Sequence, residues 1–497
     1  MDVISNVIYG FQVALQPVNI MYCFMGTLIG TLVGVLPGLG PAAAIALLLP
    51  STFHTTPVSA TIMLAGIYYG AMYGGSTTSI LVNIPGEAAS VVTCLDGHQM
   101  ALKGRAGPAL GIAAFGSFIA GTFGVIALTI LGPFLSGVAL RFGPPEYFAM
   151  MIVGITVLTY LSSGSMIKSL LMAAVGLILG GVGMDAISGK YRFTYGLQVL
   201  ADGVGLVPVV MGLFGITEVL ENLETDIKRD ILSAKFNNLF PTLRDWKDSA
   251  GPIGRGTILG FFMGLVPGGG AIIASFASYA IEKKLAKHPE EFGHGAIQGV
   301  AGPESANNSA ASGNFIPLLT LGIPCNAVMA IFLGALMIHG LQPGPLLMTK
   351  APDLFWGTIV SMYIGNVMLL VLNLPLIGLW VKVLKVPYYL LYPLILLFCL
   401  IGAYSLNNSV GDVIVMLVFG IVGYLTRKFR YDGAPLVLAL VLGPMLEEAF
   451  RQSLMLSKGD FSIFISRPLS LAFLIAAALL VIVPIVTQRK KLATLEE

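Results

Sequence analysis

Residues 26–40 read GTLIGTLVGVLPGLG, and residues 256–270 read GTILGFFMGLVPGGG. Both fit the frame G-T-x-x-G-x-x-x-G-x-x-P-G-x-G at a constant separation of 230 positions (26 to 256, 40 to 270). Five glycines, one proline and one threonine in register mark an internal duplication. A fainter echo follows, Ile84-Pro85-Gly86-Glu87-Ala88 against Ile323-Pro324-Cys325-Asn326-Ala327. Within each frame the Pro-Gly pair interrupts an apolar stretch. Proline removes a backbone donor and glycine permits turns closed to other residues, so each copy predicts a helix that breaks and resumes.

The sequence around these frames is built for lipid. Of 497 residues, 56% are hydrophobic and only 10% are charged, against roughly a quarter charged in an average soluble domain. No Asp, Glu, Lys or Arg occurs between Asp2 and Glu87, and between Glu304 and Lys350 the one ionisable acid, base or imidazole is His339. Such runs far exceed the roughly 20 apolar residues that span a bilayer. The chain therefore reads as an all-α polytopic membrane protein with about ten to fourteen membrane elements, some broken or re-entrant.

A net charge of +2 argues against nucleic acid as a partner. Cys23, Cys94, Cys325 and Cys399 lie far apart in apolar segments and form no C-x-x-C, so they read as small core residues. The start lacks the basic region of a cleaved signal, which predicts insertion by internal apolar segments.

One extended polar connection, residues 221–250, divides the chain. The expected organisation is a first transmembrane repeat over 1–220, that connection, a second repeat over 251–430, and C-terminal helices over 431–497. Loops at corresponding positions carry opposite charge bias. Phe53-His54-Thr55-Thr56-Pro57 is uncharged where its counterpart reads Glu282-Lys283-Lys284-Leu285-Ala286-Lys287. The bias reverses at Lys103-Gly104-Arg105 against His339-Gly340-Leu341-Gln342. Because cytoplasmic loops are enriched in Lys and Arg, the two repeats are expected to have inverted topology. The basic residues before Arg255 conflict with this unless 256–281 is a re-entrant hairpin broken at Pro267-Gly268. Arg427-Lys428-Phe429-Arg430 and Arg489-Lys490-Lys491 place the C-terminus on the cytoplasmic side.

Irregular backbone at membrane depth is tolerated only where it is buried in protein or lines a cavity. Half-helix N-termini there suit an anion, and freed carbonyls suit a small cation. Pro37, Gly38 and Gly40 with Pro267, Gly268, Gly269 and Gly270 are therefore expected to contact substrate. The ladder Gly26, Gly30, Gly34 is better explained as close helix packing.

Two polar tracts add neutral donors and acceptors. Ser76, Thr77 and Thr78 in the first and Asn307, Asn308 and Ser309 in the second are assigned to substrate. Ser79, Asn83, Glu304, Ser312 and Asn314 are assigned to a coupling ion, sodium or proton. The competing explanation for these tracts is interhelical hydrogen bonding. Glu87 and Glu304 adjoin these features, so each is either a site residue or an interfacial loop residue. Asp96, Asp202 and Glu218 are further ionisable residues in apolar sequence, Asp185 belongs to a boundary loop, and His339 belongs at a membrane surface. No H-E-x-x-H or G-x-x-x-x-G-K-[ST] motif occurs, so neither zinc hydrolysis nor direct ATP drive is encoded. A channel is the nearest rival to a transporter, and an intramembrane enzyme a more distant one.

The duplicated frame, Pro303-Glu304-Ser305-Ala306-Asn307-Asn308, Ile316 to Pro324, His339 to Pro345, Gly70 to Ser76 and Gly97-His98-Gln99-Met100 together resemble the large membrane subunit of the tripartite tricarboxylate transporters, the TctA family. The resemblance covers essentially the whole chain; Ser305, where alanine is more usual, and Cys325, often glycine, depart from it. It implies a multi-pass secondary transporter of the bacterial inner membrane without an organic cofactor. Its implied partners are a small four-helix membrane subunit and a periplasmic solute-binding protein that delivers carboxylates such as citrate. The implied drive is an ion gradient, with sodium favoured.

Overall fold

The computed structural model describes residues 3–36, 40–161, 165–185, 187–224, 239–266, 270–386 and 388–481. Its first half carries α1 (Val3–Ala14), α2 (Pro17–Val35), α3 (Pro41–Leu48), α4 (Pro57–Val82), α5 (Val91–Leu102), α6 (Ala106–Ala139), α7 (Pro144–Leu161) and α8 (Met166–Gly180), then α9 (Leu206–Val210) and α10 (Thr217–Glu224). The second half carries α11 (Leu243–Leu265), α12 (Gly270–Leu285), α13 (Gln298–Gly313), α14 (Phe315–Leu321), α15 (Ala327–Ile338), α16 (Leu347–Lys350) and α17 (Pro352–Asn373). The C-terminal region adds α18 (Ile377–Leu384), α19 (Tyr388–Asn407), α20 (Val410–Lys428), α21 (Ala434–Leu456) and α22 (Ile463–Ser466). Among the described residues the strands form a single short antiparallel ribbon, β1 (Gly183–Met184) with β2 (Tyr191–Arg192).

Six helical segments among the described residues are long and apolar enough to cross a bilayer: Pro17–Val35, Ala106–Ala139, Leu206–Glu224, Pro352–Asn373, Leu390–Asn407 and Val410–Lys428. Shorter apolar helices, including Pro41–Thr52 and Ala327–Ile338, accompany them. With 34 residues, α6 is about 51 Å long. That length exceeds a hydrocarbon core of roughly 30 Å, so α6 must tilt or project from it.

Both frames break as their sequences require. α2 ends at Val35 and α3 starts at Pro41 behind the N-cap Gly40; α11 ends at Leu265 and α12 starts at Gly270. The Pro-Gly apices at 37–39 and 267–269 lie outside the described residues. Within the polar stretch 221–250, Thr242 caps α11 in a reciprocal box with Asp245, and the helix begins at Leu243. Serine, threonine or aspartate at such positions satisfies otherwise orphaned helix N–H groups.

The core is a pair of helices buried along nearly their whole length, α4 and α13. Each is fastened to a glycine ladder from its own half. A methyl group placed on Gly26, Gly30 or Gly34 of α2 would overlap the carbonyls of Met63, Ile67 and Ala71 on α4. A methyl on Gly256, Gly260 or Gly264 of α11 would likewise overlap those of Gly302, Ala306 and Ala310 on α13. Helices in lipid gain little from the hydrophobic effect against each other, so backbone-to-backbone approach through small residues is what holds such pairs. The ladders are packing devices, as their spacing implied.

The halves also interlock. α6 of the first half lies along α13, and α17 of the second lies along α4. α3 touches α15, and α12 touches the short turn Ala88–Ser90 that leads into α5. Outside this core, α7 and α8 pack on α21, and α20 packs on the π-helical turn Met211–Ile216 that joins α9 to α10. Ion pairs lie at the periphery: Arg427–Glu218 at 2.7 Å, Arg255–Glu282 at 2.5 Å, Arg467–Glu146 at 3.0 Å and Arg451–Asp185 at 2.9 Å. Asp185 thus belongs to the ribbon loop. All four cysteines are free thiols.

Candidate functional site

The fainter echo has a common local structure in both halves. α4 ends at Asn83 in the left-handed region (φ 58°) and α14 ends at Gly322 in the same region (φ 74°). Ile-Pro follows each cap, and then a polar side chain starts the next helix. The Glu87 carboxylate accepts from the Ala89 amide at 2.6 Å, and the Asn326 side-chain carbonyl accepts from the Met329 amide at 2.9 Å. Each turn sits against its own broken helix, Gly86 against the Gly34 carbonyl and Cys325 Sγ 3.9 Å from the Leu265 carbonyl.

The contacts across the halves are reciprocal. Asn307 Nδ2 donates to Glu87 Oε1 at 3.2 Å, and Asn326 Nδ2 donates to Tyr68 Oη at 3.4 Å. These pairs interchange under one offset of 239 positions (68 to 307, 87 to 326). Asn314 Nδ2 strengthens the second contact by donating to Tyr68 Oη at 2.9 Å.

Beside them lies Glu304, 1% exposed on α13. Its Oε2 accepts from Ser76 Oγ of α4 at 2.6 Å, and its Oε1 accepts from Thr93 Oγ1 of α5. A carboxylate from the second half is thus held by hydroxyls of the first. Most other buried carboxylates have a cationic or fully bonded setting: Glu146, Asp185, Asp245 and Glu282 face arginines. Asp96 accepts three backbone N–H groups, from Gly293, Gly295 and Ala296, and the Tyr279 hydroxyl. Glu87 and Glu304 have no Lys, Arg or His partner among the described residues, where no buried basic side chain occurs at all. Removing charge from water without a counter-charge is costly. These two carboxyl groups are held by neutral hydroxyl and amide donors alone.

The chain belongs to the tripartite tricarboxylate transporter TctA family. That family's model matches residues 20–438. A protein of Agrobacterium vitis described as an uncharacterized 52.8 kDa protein in the TAR-I ttuC' 3' region is 51% identical over 500 residues, covering all of both chains. Another Agrobacterium vitis protein, described as an uncharacterized protein in the TAR-II ttuC' 3' region, is 50% identical over 241 residues, which is 48% of this chain and all of that relative. No solved structure matches the chain.

Against this TctA-family core, the expected site residues fall into distinct places. Ser76, Asn307 and Glu304 lie in the central network, and Asn308 Nδ2 donates to Ser117 Oγ at 2.7 Å beside it. Thr77 lines a small enclosed space between α4 and α6. Thr78, Ser79, Ser309 and Ser312 donate to backbone carbonyls: Thr78 to Val35, Ser79 to Gly75 and Ser90, Ser309 to Thr257, Ser312 to Gly121 and Asn308. Asn314 is buried beside Tyr68, whereas Asn83 is the exposed cap of α4. Gly40 and Gly270 open the half-helices α3 and α12. Pro37, Gly38, Pro267, Gly268 and Gly269 lie outside the described residues. His339 caps α15, with Nε2 3.5 Å from Thr52 Oγ1, and Glu218 pairs with Arg427.

Tyr68, Thr93 and Asn326 escaped the sequence reading. The signal for Asn326 was present, since the Ile-Pro echo sets it opposite Glu87. Tyr68 and Thr93 sit singly in apolar helices, where spacing alone does not distinguish them from packing residues. Among the described residues no group of three His, Cys, Asp or Glu side chains could hold a metal.

Proposed function

We propose that this chain is the transport-path subunit of a binding-protein-dependent importer of tricarboxylates or related carboxylates, driven by an ion gradient through alternating access. The observation that carries this reading is the pair Glu87 and Glu304, both buried and neither facing a basic side chain. A substrate with two or three negative charges is repelled by these carboxylates unless cations or protons enter with it. That requirement couples substrate to ion without any ATP-binding motif. Amide groups such as Asn307 and the N-terminal ends of α3 and α12 supply donors for substrate carboxylates.

The reciprocal contacts of Asn307–Glu87 and Asn326–Tyr68 support two inverted-topology repeats with the site between them. Family membership supports the further partners, a small membrane subunit and a periplasmic solute-binding protein, and a bacterial inner-membrane location with a cytoplasmic C-terminus. Proteoliposomes holding both membrane subunits, supplied with the binding protein and a radiolabelled tricarboxylate, test the reading. Uptake of unmodified solute is expected under an imposed sodium or proton gradient. Uptake that ignores both gradients, or currents of channel size, would refute it.

A further inference from the structure

Where the start of α8, α10 and the end of α20 meet lies a cavity of about 640 Å³ lined by both signs of charge. Its cations are Lys168, Arg427 and Arg430, and its carboxylates are Glu221 and Asp432. Arg427 pairs with Glu218 at 2.7 Å and with Glu221, and Asp432 accepts from the Ala434 amide at 2.9 Å where α21 begins. Lys168 Nζ donates one hydrogen to the Phe429 carbonyl at 2.7 Å and lies 4.9 Å from the centre of the Tyr431 ring. The Arg430 guanidinium has no partner among the described residues. Its backbone is also strained. Arg430 stands at φ 57°, and the amides of Arg430 and Tyr431 donate to the carbonyls of Arg427 and Thr426, each at 2.8 Å. That is the helix-ending motif whose left-handed position glycine normally fills. Strained backbone of this sort clusters at ligand sites.

We propose that this cavity holds the headgroup of a membrane phospholipid that carries both a phosphate and a primary ammonium, as phosphatidylethanolamine does. The cavity sits where α20 ends after a run long and apolar enough to span a bilayer, and where the apolar helix α8 begins. Beside its charges, Ile167 and Leu170 of α8 and Leu425 and Phe429 at the end of α20 are exposed apolar side chains. Acyl chains cover those flanks, which a free phosphate would leave bare. Basic pockets between transmembrane helices bind lipid headgroups. Here Arg430 and the remaining hydrogens of Lys168 take the phosphodiester through charge-assisted hydrogen bonds. Glu221 and Asp432 take the ammonium, since a carboxylate has about four acceptor positions and an N–H donor joins the partners already there. A purely anionic headgroup would satisfy the cations and oppose the two carboxylates. Bound in this way, the lipid ties α8 and α10 of the first half to the C-terminal helix α20.

Native mass spectrometry of the delipidated full chain in detergent, titrated with one lipid at a time, tests this. Wild type should bind phosphatidylethanolamine more tightly than phosphatidylcholine, whose ammonium has no N–H to donate. It should also prefer it to phosphatidylglycerol, which has no ammonium. Arg430→Gly removes the cation and relieves the left-handed residue together. That variant should melt no lower than wild type and bind phosphatidylethanolamine roughly tenfold or more weakly. Glu221→Gln should narrow the gap between phosphatidylethanolamine and phosphatidylglycerol. Arg244→Gln, at an exposed arginine of α11, should bind as wild type does. Equal affinity for the three lipids would overturn the proposal, as would a gap unchanged by Glu221→Gln. So would undiminished binding by Arg430→Gly or, if that variant fails to fold, by Lys168→Met. Inorganic phosphate or O-phosphoethanolamine displacing the lipid at equal concentration would overturn a lipid as the occupant.

Discussion

Asn307 of the second half donates its amide to the Glu87 carboxylate of the first at 3.2 Å. The contact ties the buried face of α13 to the turn that launches α5. Replacing Asn307 by Asp sets a like charge against Glu87 in a site without basic side chains. We expect Asn307→Asp to lower tricarboxylate uptake in proteoliposomes by roughly tenfold or more, since losing a buried charge-assisted hydrogen bond alone is worth about 1.5–3 kcal/mol. Uptake at the wild-type rate would remove Glu87 from the transport path.

The glycine seams make a steric prediction that discriminates neighbours on one helix. A methyl group at Gly260 meets the Ala306 backbone, whereas one at Gly254 has no atom within 4 Å. Gly260→Ala should therefore lower stability by about 1–3 kcal/mol through overpacking. Gly254→Ala should be neutral or stabilising by about 0.5–1 kcal/mol. Thermal unfolding of both variants in detergent reads the difference.

The equivalent helix ends Asn83 and Gly322 share left-handed backbone but differ in their tolerance. Asn83→Gly should hold or raise stability, because it relieves a side chain from a conformation that costs L-residues about 1–2 kcal/mol. Gly322→Ala should lose at least that amount, since its φ is 74° and a methyl there also presses on the Pro343 carbonyl. A shared melting temperature for the two variants would contradict the assignment of these caps.

Asp185, on the ribbon loop, has its carboxyl held below the ordinary value of 3.8 by the Ser188 hydroxyl and the Arg451 guanidinium. A depressed carboxylate stabilises the fold above its unfolded value, and that contribution disappears as pH falls below about 3.8 toward the folded one. Asp185→Asn should therefore flatten the fall in melting temperature between pH ~4 and pH ~2. A wild-type slope in the variant would show that other carboxylates govern the acid limb.

Much of the architecture was readable from the chain because its cues are periodic. The four-residue glycine spacing announced close helix contact, and Pro-Gly in apolar surroundings announced the breaks. The buried tracts were legible as unusual polarity, and Glu304 was readable by its place in one of them. The division of labour within the tracts was not, because hydroxyls on one helix face either bond a side chain, as Ser76 does, or a carbonyl, as Thr78 and Ser309 do. Only the approach of a second helix decides between these. Tyr68, Thr93 and Ser117 were invisible for the same reason: each is a lone polar residue whose partner is distant in sequence. Asp96 shows the converse, for a charge flagged as unusual proves to be wrapped in backbone N–H groups of the loop before α13.

The seams that join α2 to α4 and α11 to α13 also limit how the molecule can deform. Carbonyls pressed into glycine notches every four residues act like teeth in a rack, so neither pair can slide along itself without riding up over the next notch. Each pair therefore behaves as one rigid plank. If cargo crosses by the alternating access proposed above, the stroke must be taken up where helices of different halves meet, along α6 with α13 and α17 with α4.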